Sequence, residues 1–475
     1  MISRLVKYSL YGTVGVGTAV ALKTDDYNSL AAVRIARAAY TAIDIGRTYK
    51  TLLYTKDWDR DSEEYIELKS KAHQIGANKL LKLCKTNKGV YIKVGQHVGA
   101  MDYLLPSEYV TTMRVLHKDA PKNDVKDLYK VKFNKKKFDP EPLGTASLAQ
   151  VHRARLQDDT EVAVKVQHHF VRKNINIDIK WMELLIKAMS KVFPEFQMEW
   201  LVEETKKNIT KELDFLQEGR NAEKVAEIFK HYTWLKVPKI FWDYSTERVL
   251  VMEYVNGGQV NDLDYIEKHN INKAGISKKL GDLYSHMIFV VGFVHSDPHP
   301  GNIILKKEPG DKDVTVYLLD HGLYANLTEK FRFHYSKLWL AIIARDRNEM
   351  VIHAEQLGVR KELAGLFACM VSGRPWDSIM KGIDRTKPSE SEKLKFQKEV
   401  PFILHHITEC LQQVDRQALL VFKTNDLIKS IEYRLGTHEQ MCGFIVMTKC
   451  CMQSVYGHQL RVSDLLLLIL WVGCL

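Results

Sequence analysis

The sequence lacks the cysteine patterns that mark a disulfide framework or a zinc site. Its seven cysteines are odd in number, and no two of them are spaced as C-x-x-C. It also lacks zinc-finger spacing and any basic patch interleaved with aromatic residues, although its formal net charge is +11. We therefore expect a reducing or non-secretory setting, and a positive charge that serves a membrane or an organelle and not nucleic acid.

No apolar run has the roughly 20 residues that a helix needs to span a bilayer. The uncharged run Tyr8–Leu22 has fifteen residues, and the final run Leu465–Leu475, to which we assign no function, is shorter still. Three interpretations of the first run remain open: a mitochondrial anchor or presequence, a secretory signal, or a buried helix. The next segment, Leu30–Tyr54, is rich in alanine and arginine, which favours an amphipathic helix and mitochondrial targeting or membrane contact. We predict a mitochondrial protein associated with the inner membrane.

The residues that carry chemistry are concentrated in His295–Asn302, which reads H-S-D-P-H-P-G-N. Asp297 and Asn302 are five residues apart, and Asp320 opens a D-x-G after the strand-like segment Val314–Leu319. Phosphoryl transfer from a nucleotide needs a carboxylate to orient the nucleophile, and an amide and a second carboxylate to hold Mg²⁺. A proline- and glycine-rich turn explains the prolines but not this order of carboxylates and amide, so we favour a catalytic loop with Asn302 and Asp320 as metal ligands.

A small nucleotide-binding sheet is predicted upstream of this loop. An alanine-rich hairpin, Gly144–His152, precedes Glu161–Val166, in which Ala163 and Lys165 face opposite to the valines. This is the kinase pattern of a small residue against adenine and a lysine that reaches the phosphates. Two more strands are predicted, Trp234–Phe241 and Arg248–Val255, and the second leads into an extended hinge. The residues predicted to bind ATP are Gly144, Thr145, Ala146, Ser147, Val151, Ala163, Lys165, Glu253 and Val255.

Two further motifs lie on predicted helices. In residues 62–118, Lys93 and Gln96 share a helical face, and Gly95 lets another backbone approach closely. By composition alone, this is an ordinary polar helix face.

The stretch Glu199–Lys230 carries three carboxylates, Glu212, Asp214 and Glu218. On one continuous helix Asp214 and Glu218 share a face, whereas Glu212 and Glu218 are about 120° apart and could serve two different lysines. A solvated acidic helix is about as good an interpretation of this stretch.

Together these residues resemble the UbiB-type atypical kinases, also called aarF-domain-containing kinases, over residues 70–440. Lys93–Gln96 matches the K-x-G-Q signature of that family, Gly144–His152 its alanine-rich loop, and Glu212–Asp214 its E-x-D motif. The positions shared with kinases generally are Lys165, Asp297, Asn302 and Asp320. The chain departs from the family pattern at Gly144-Thr145, where an alanine pair is usual, and at His321, which replaces the phenylalanine of D-F-G.

The resemblance implies that the K-x-G-Q helices fold over the cleft where a peptide would bind, with Lys93 paired to Glu212 and Lys165 to Glu218. Such a covered cleft disfavours protein phosphorylation. The family is linked instead to ATP binding, ATPase-like activity, and coenzyme Q or lipid homeostasis at mitochondrial membranes. The implied partners are therefore a nucleotide, membrane lipids and membrane proteins.

We predict a bilobal, protein-kinase-like α+β fold with a helical N-terminal extension that contains K-x-G-Q. The expected parts are a targeting or membrane segment, a helical extension, an N-lobe with a helical insert, and a helical C-lobe, at residues 1–54, 55–142, 143–256 and 257–475. From Asp262 onward the periodicity is helical, with a polar connector at Pro388–Glu392. The expected activity is an Mg²⁺–ATP-dependent ATPase or small-molecule or lipid kinase. The residues predicted to carry it are Asp297, Lys165, Glu218, Lys93, Gln96, Glu212 and Asp214. Lys93 and Glu212 are expected to gate the site.

Two alternatives stay open. One is a small-molecule phosphotransferase of the aminoglycoside-kinase type, which shares the H-x-D-x-x-x-x-N loop but does not pair K-x-G-Q with E-x-D. The other is an ATP-binding pseudokinase that scaffolds mitochondrial membrane proteins. The filled catalytic positions argue against a dead site, but the phosphoryl acceptor does not follow from the sequence.

Overall fold

The computed structural model forms two compact units. The first comprises Met1–Gln217 and Ile240–Tyr254, and the second Glu218–Lys239 and Val255–Leu475. Within these bounds the structure describes residues 30–59, 62–99, 105–117, 138–192, 206, 208–296, 299–381, 406–407, 409–411, 413–437 and 442–457.

Helices dominate the described part of the chain. They are α1 (Ala31–Leu53), α2 (Glu63–Asn87), α3 (Val90–Gly99), α4 (Ser107–Met113), α5 (His169–Val192), α6 (Phe215–Ile228), α7 (Leu263–Lys268), α8 (Lys273–Ser285), α9 (Glu329–Ala344), α10 (Arg347–Gln356), α11 (Ala364–Ser372), α12 (Trp376–Lys381), α13 (Arg416–Leu435) and α14 (Cys442–Tyr456). Several begin at a side chain that satisfies the first free N–H groups, such as Ser62 before α2, Thr328 before α9 and Asp346 before α10.

The strands are short. They are β1 (Gly144–Thr145), β2 (Ala149–Arg155), β3 (Glu161–Gln167), β4 (Leu235–Lys236), β5 (Val249–Glu253), β6 (Gly258–Gln259), β7 (Phe293–His295), β8 (Ile303–Lys306), β9 (Thr315–Leu318) and β10 (Tyr324–Asn326). The strand expected over Trp234–Phe241 is cut to β4 and an isolated bridge at Ile240. Pro238 lies between them and has no N–H to donate to a ladder.

In the first unit, α1 to α5 enclose one apolar core, which confirms the helices predicted for residues 62–118. Its members include Ile92, Met113, Leu116, Ile175 and Ile209. The antiparallel sheet β1-β2-β3-β5 has a separate core. That core contains Val162, Val164 and Val166 and omits Ala163 and Lys165, so the predicted division of the two faces of β3 is confirmed.

Helix α1, which lies in the segment predicted to serve targeting or membrane contact, packs within the first unit. Arg34 forms an ion pair with Asp178 of α5, with 2.5 Å between Nη2 and Oδ2, and also donates to the main-chain oxygen of Asn87. Both charged side chains are buried, and loss of either would leave an uncompensated charge in the interior. No helix in the described part of the chain is both long and apolar enough to cross a membrane.

The second unit combines small sheets with the helical region predicted from Asp262 onward. Strand β9 pairs in parallel with β4 and forms an antiparallel hairpin with β8, which also pairs with β6. A second pairing joins β7 to β10. Large side chains of α8, α9, α11 and the π-helical turn after α8 fill the interior; among them are Tyr284, Phe289, Tyr335 and Phe367. The predicted polar connector Pro388–Glu392 lies outside the described residues.

Candidate functional site

Lys93 and Glu212 form a buried ion pair, which confirms the pairing that the resemblance implied. Nζ of Lys93, on α3, lies 2.8 Å from Oε2 of Glu212, at the end of the helical turn 208–212. The two side chains are 7% and 12% exposed. Because a buried charge without its partner is costly, the pair ties the K-x-G-Q helix to the E-x-D segment. Its role in gating remains a prediction.

The other K-x-G-Q residues hold α3 in place. The Gln96 side-chain amide donates to the main-chain oxygen of Leu116 at 3.0 Å. The expectation that Gly95 admits another backbone is wrong in detail, because a Cβ there would collide with the Leu116 side chain. The close backbone approach is at Gly99, where a Cβ would lie 3.0 Å from the main-chain nitrogen of Arg114.

The E-x-D segment is a break between two helices. The turn 208–212 ends before Asp214, and α6 begins directly after it. The Asp214 carboxylate accepts hydrogen bonds from the N–H groups of Leu216 and Gln217, both at 3.1 Å. The expected shared face of Asp214 and Glu218 on one continuous helix is therefore wrong. Aspartate competes for backbone N–H groups and is favoured where a helix starts, and Asp214 caps α6.

Lys165 and Ala163 lie on the face of β3 that turns away from the valine core. Lys165 pairs across the sheet with Val151 of β2, and its ammonium lies 5.3 Å from the ring centroid of Phe215, within cation–π range. Lys165 belongs to the first unit and Glu218 to the second, so the Lys165–Glu218 pairing stays a prediction.

The alanine-rich stretch is a tight turn fixed through its main chain. The N–H of Ala146 donates to the oxygen of Ala149 at 2.7 Å, and the N–H of His168 donates to the oxygen of Leu148 at 3.0 Å. Nε2 of His168 also lies 3.2 Å from the oxygen of Ala146. The Leu148 side chain is part of the helical core, so packing and hydrogen bonding hold the same turn.

Gly144 and Thr145 form β1 at the entrance to this turn. The backbone of Gly144 is not in the left-handed region, and a Cβ there would meet nothing within 4 Å. Glycine in place of the family's alanine therefore changes no packing at this position. The predicted phosphate contacts of Gly144, Thr145, Ala146 and Ser147 stay predictions.

Strand β5 leads into the segment predicted to bind adenine. The N–H of Tyr254 donates to the oxygen of Glu161 at 3.4 Å. Glu253 and Val162 therefore form a non-hydrogen-bonded pair, and the main-chain groups of Glu253 point away from β3. Val255 belongs to the second unit, and the adenine contacts of both residues stay predictions.

In the second unit, hydrogen bonds fix both ends of the predicted catalytic loop. The N–H of Ser296 donates to the oxygen of Leu323 at 2.9 Å. At the other end, the N–H of Asn302 donates to the oxygen of His299, also at 2.9 Å. Asp297, the predicted nucleophile-orienting carboxylate, lies outside the described residues.

The two predicted metal ligands lie at one end of the β8–β9 hairpin. Ile303 pairs with Leu318, and the N–H of Leu319 donates to the oxygen of Asn302 at 2.7 Å. Asn302 and Asp320 flank these residues in the chain and are partly exposed. An amide oxygen and a carboxylate at one hairpin end are the donors that hard Mg²⁺ prefers, so this pair fits the metal that a kinase-like site requires.

The D-H-G segment is fixed by polar side chains. Nε2 of His295 lies 2.7 Å from the oxygen of Asp320, whose φ of 53° is in the left-handed region. The buried ring of His321 uses both nitrogens, Nδ1 at 2.9 Å from the Tyr324 hydroxyl and Nε2 at 2.9 Å from the oxygen of Leu318. Burial raises the pKa of the Tyr324 hydroxyl well above its usual range, which keeps its proton available for donation. Histidine thus anchors the position where phenylalanine would pack.

Sequence reasoning missed two residues at this site. Lys423 of α13 donates to the oxygen of Ser296 at 3.2 Å, and no sequence signal connects positions 127 residues apart. Asn221 of α6 donates to the oxygen of His321 at 2.9 Å. A signal for Asn221 existed, since it follows Glu218 by three residues and shares its helical face.

Comparison with known families shows which class of protein this chain belongs to. Residues 111–354 match the family described as the ABC1 atypical kinase-like domain. This match confirms the predicted kinase-like α+β fold.

The relatives are similar over nearly the whole chain. AarF domain-containing kinase 1 of Drosophila melanogaster is 55% identical over 463 residues, which are 94% of this chain and 89% of that protein. AarF domain-containing protein kinase 1 of Mus musculus is 46% identical over 92% of this chain and 84% of its own. A solved structure of Rv3197 with erythromycin, from Mycobacterium tuberculosis, has a TM-score of 0.44 at 22% identity, covering 78% of this chain and 99% of its own. This chain belongs to the ABC1/AarF family of atypical kinases.

Proposed function

We propose that this protein binds Mg²⁺–ATP and uses it as an ATPase or as a kinase for a small molecule or lipid, not as a conventional protein kinase. The observation that carries the proposal is the placement of Asn302 and Asp320 at one end of the β8–β9 hairpin. Their amide and carboxylate oxygens suit Mg²⁺ next to phosphates. The buried Lys165 on β3 supplies a cation of the kind that such sites use for the α- and β-phosphates.

Each residue then has one task. Lys165, paired with Glu218 as the family resemblance implies, would hold the α- and β-phosphates, and Asn302 and Asp320 would hold the metal. Asp297 orients the attacking hydroxyl or water and accepts its proton. The bound Mg²⁺ would neutralise phosphate charge as it develops.

We further propose that the protein acts in mitochondria, at the inner membrane, in support of lipid or coenzyme Q homeostasis. The support comes from the uncharged run Tyr8–Leu22 and from α1, where Tyr40, Ile43, Arg47 and Lys50 are exposed together. An exposed helix face that is part apolar and part basic suits an anionic membrane surface. Alkaline extraction and protease protection of isolated mitochondria, for the full chain and for a chain without residues 1–29, test this placement. Recovery of the full chain in another compartment would contradict it.

The activity is tested by Mg²⁺-dependent ATP hydrolysis of the full chain, with and without vesicles of anionic lipid. Asp320→Asn removes the carboxylate charge but keeps the side-chain shape, and we expect it to abolish turnover. Asp311→Asn, in the exposed turn of the same hairpin, is the matched control and should behave as the unchanged protein. Nucleotide binding without turnover under every condition would reject the enzyme and leave a nucleotide-sensing scaffold.

Gating by Lys93 and Glu212 has a separate test. Lys93→Met leaves the Glu212 carboxylate buried without its partner, and we expect the free energy of unfolding to fall by about 3–5 kcal/mol. Replacing both residues by methionine should recover most of the lost stability. If the pair gates the site, the double replacement should also change kcat. Lys230→Met in the exposed pair with Glu227 is the control, with an expected loss of about 1 kcal/mol or less. A double variant with native stability and an unchanged kcat would reject the gate.

A further inference from the structure

Asn221 connects helix α6 to the segment that carries a predicted metal ligand. Its Nδ2 donates to the oxygen of His321 at 2.9 Å, and the residue is 9% exposed. Because Asn221 is buried, this hydrogen bond ties the helix to the His321 peptide unit.

Helix α6 also approaches the D-H-G segment one helical turn earlier. Glu218 is buried, and its Oε2 would be 3.5 Å from a Cβ placed on Gly322. Oδ1 of Asp320 would be 3.3 Å from the same point, and it accepts a hydrogen bond from the N–H of Gly322. Residues three apart share a helical face, so Glu218 and Asn221 lie on the side of α6 near the same short segment.

The D-H-G segment is also held by contacts other than the one to Asn221. Asp320 has a left-handed backbone, which a non-glycine residue adopts only when its surroundings hold it there. His295 binds its main-chain oxygen. The Leu318 oxygen can only accept, so His321 carries its proton on Nε2, and Nδ1 accepts from the Tyr324 hydroxyl. A displacement of the His321 carbonyl is therefore passed to Asp320.

We propose that Asn221 is a positioning residue that couples α6 to the divalent-cation ligand Asp320, so that Glu218 and Asp320 move as one body. The inference rests on the proposed function, because it concerns a site for a divalent cation. Without the Asn221 amide, α6 and the D-H-G segment shift independently, and the orientation of the Asp320 carboxylate is no longer set by the helix that carries Glu218.

The test is Mn²⁺ binding by the full chain in the presence of a non-hydrolysable ATP analogue, followed by electron paramagnetic resonance. We expect Asn221→Ala to raise the dissociation constant of Mn²⁺ by up to about tenfold, because the free energy of one buried hydrogen bond sets the upper limit. Asn221→Asp, which replaces the donor by a repelling acceptor, should raise it further. The metal-free affinity for the analogue should change less than about twofold. Glu227→Gln, on the exposed face of α6, is the matched control.

Kinetics and stability separate positioning from a merely structural role. In the Asn221 variants we expect the Mg²⁺ concentration for half-maximal turnover to rise, with kcat largely recovered at saturating Mg²⁺. Tyr324→Phe, which frees the His321 ring from one partner, should shift Mn²⁺ binding in the same direction and serves if the Asn221 variants do not fold. Loss of stability with unchanged Mn²⁺ affinity would overturn the inference. If the unchanged protein binds the analogue but no Mn²⁺, the proposed metal site fails and the inference with it.

Discussion

Two loops of the candidate site, one in each unit, are held by different means. The alanine-rich turn of the first unit is held by main-chain hydrogen bonds and by the side chain of Leu148 in an apolar core. The D-H-G segment of the second unit is held by the side chains of His295, His321 and Asn221. Each loop involves a histidine: His168 contacts the alanine-rich turn, and His321 is part of the D-H-G segment.

The difference lies in what surrounds each histidine. His168 is itself buried, but the oxygen that it contacts belongs to Ala146, an exposed residue. The partners of His321, Leu318 and Tyr324, are both buried. An apolar anchor thus tolerates the loss of one polar contact, whereas a buried polar network depends on every member.

The largest loss of stability is expected at Leu148, whose side chain anchors the alanine-rich turn. Leu148→Ala removes a buried side chain from the helical core, and the free energy of unfolding should fall by about 2–5 kcal/mol. Leu143→Ala, at a position that is 51% exposed just before the same turn, is the matched control. Denaturant unfolding measures both. Equal, small losses for the two variants would mean that packing does not anchor the turn.

An intermediate effect is expected at His321. His321→Phe leaves the Leu318 oxygen and the Tyr324 hydroxyl buried without this partner, and unfolding should become easier by about 1–3 kcal/mol. The control is His269→Phe, since His269 is only partly buried and its ring nitrogen contacts the oxygen of Tyr265. A His321→Phe variant as stable as the unchanged protein would show that aromatic packing, and not hydrogen bonding, holds the segment.

The smallest loss of stability is expected at His168. His168→Phe removes one side-chain contact, to the oxygen of the exposed Ala146, and keeps the main-chain N–H bond to Leu148. We expect a loss of about 1 kcal/mol or less in the same unfolding experiment. A loss as large as that of His321→Phe would remove the distinction between the two loops.

Much of the site was accessible from local sequence patterns. Alternation along β3 put Ala163 and Lys165 opposite to the valines, and the structure confirms that division. The resemblance implied the Lys93–Glu212 pair, which the structure also confirms. The E-x-D segment was misread because helical periodicity continues through Asp214, whereas the preference of aspartate for capping interrupts the helix there.

Other features followed only from tertiary packing. The sequence by itself determined the order of the chemical groups, the faces of the strands and the family, because these depend on local spacing and residue type. The contacts of Asn221 with His321 and of Lys423 with Ser296 join positions 100 and 127 residues apart. No local pattern encodes such pairs, since which distant carbonyl a buried donor reaches depends on how the helices and hairpins pack.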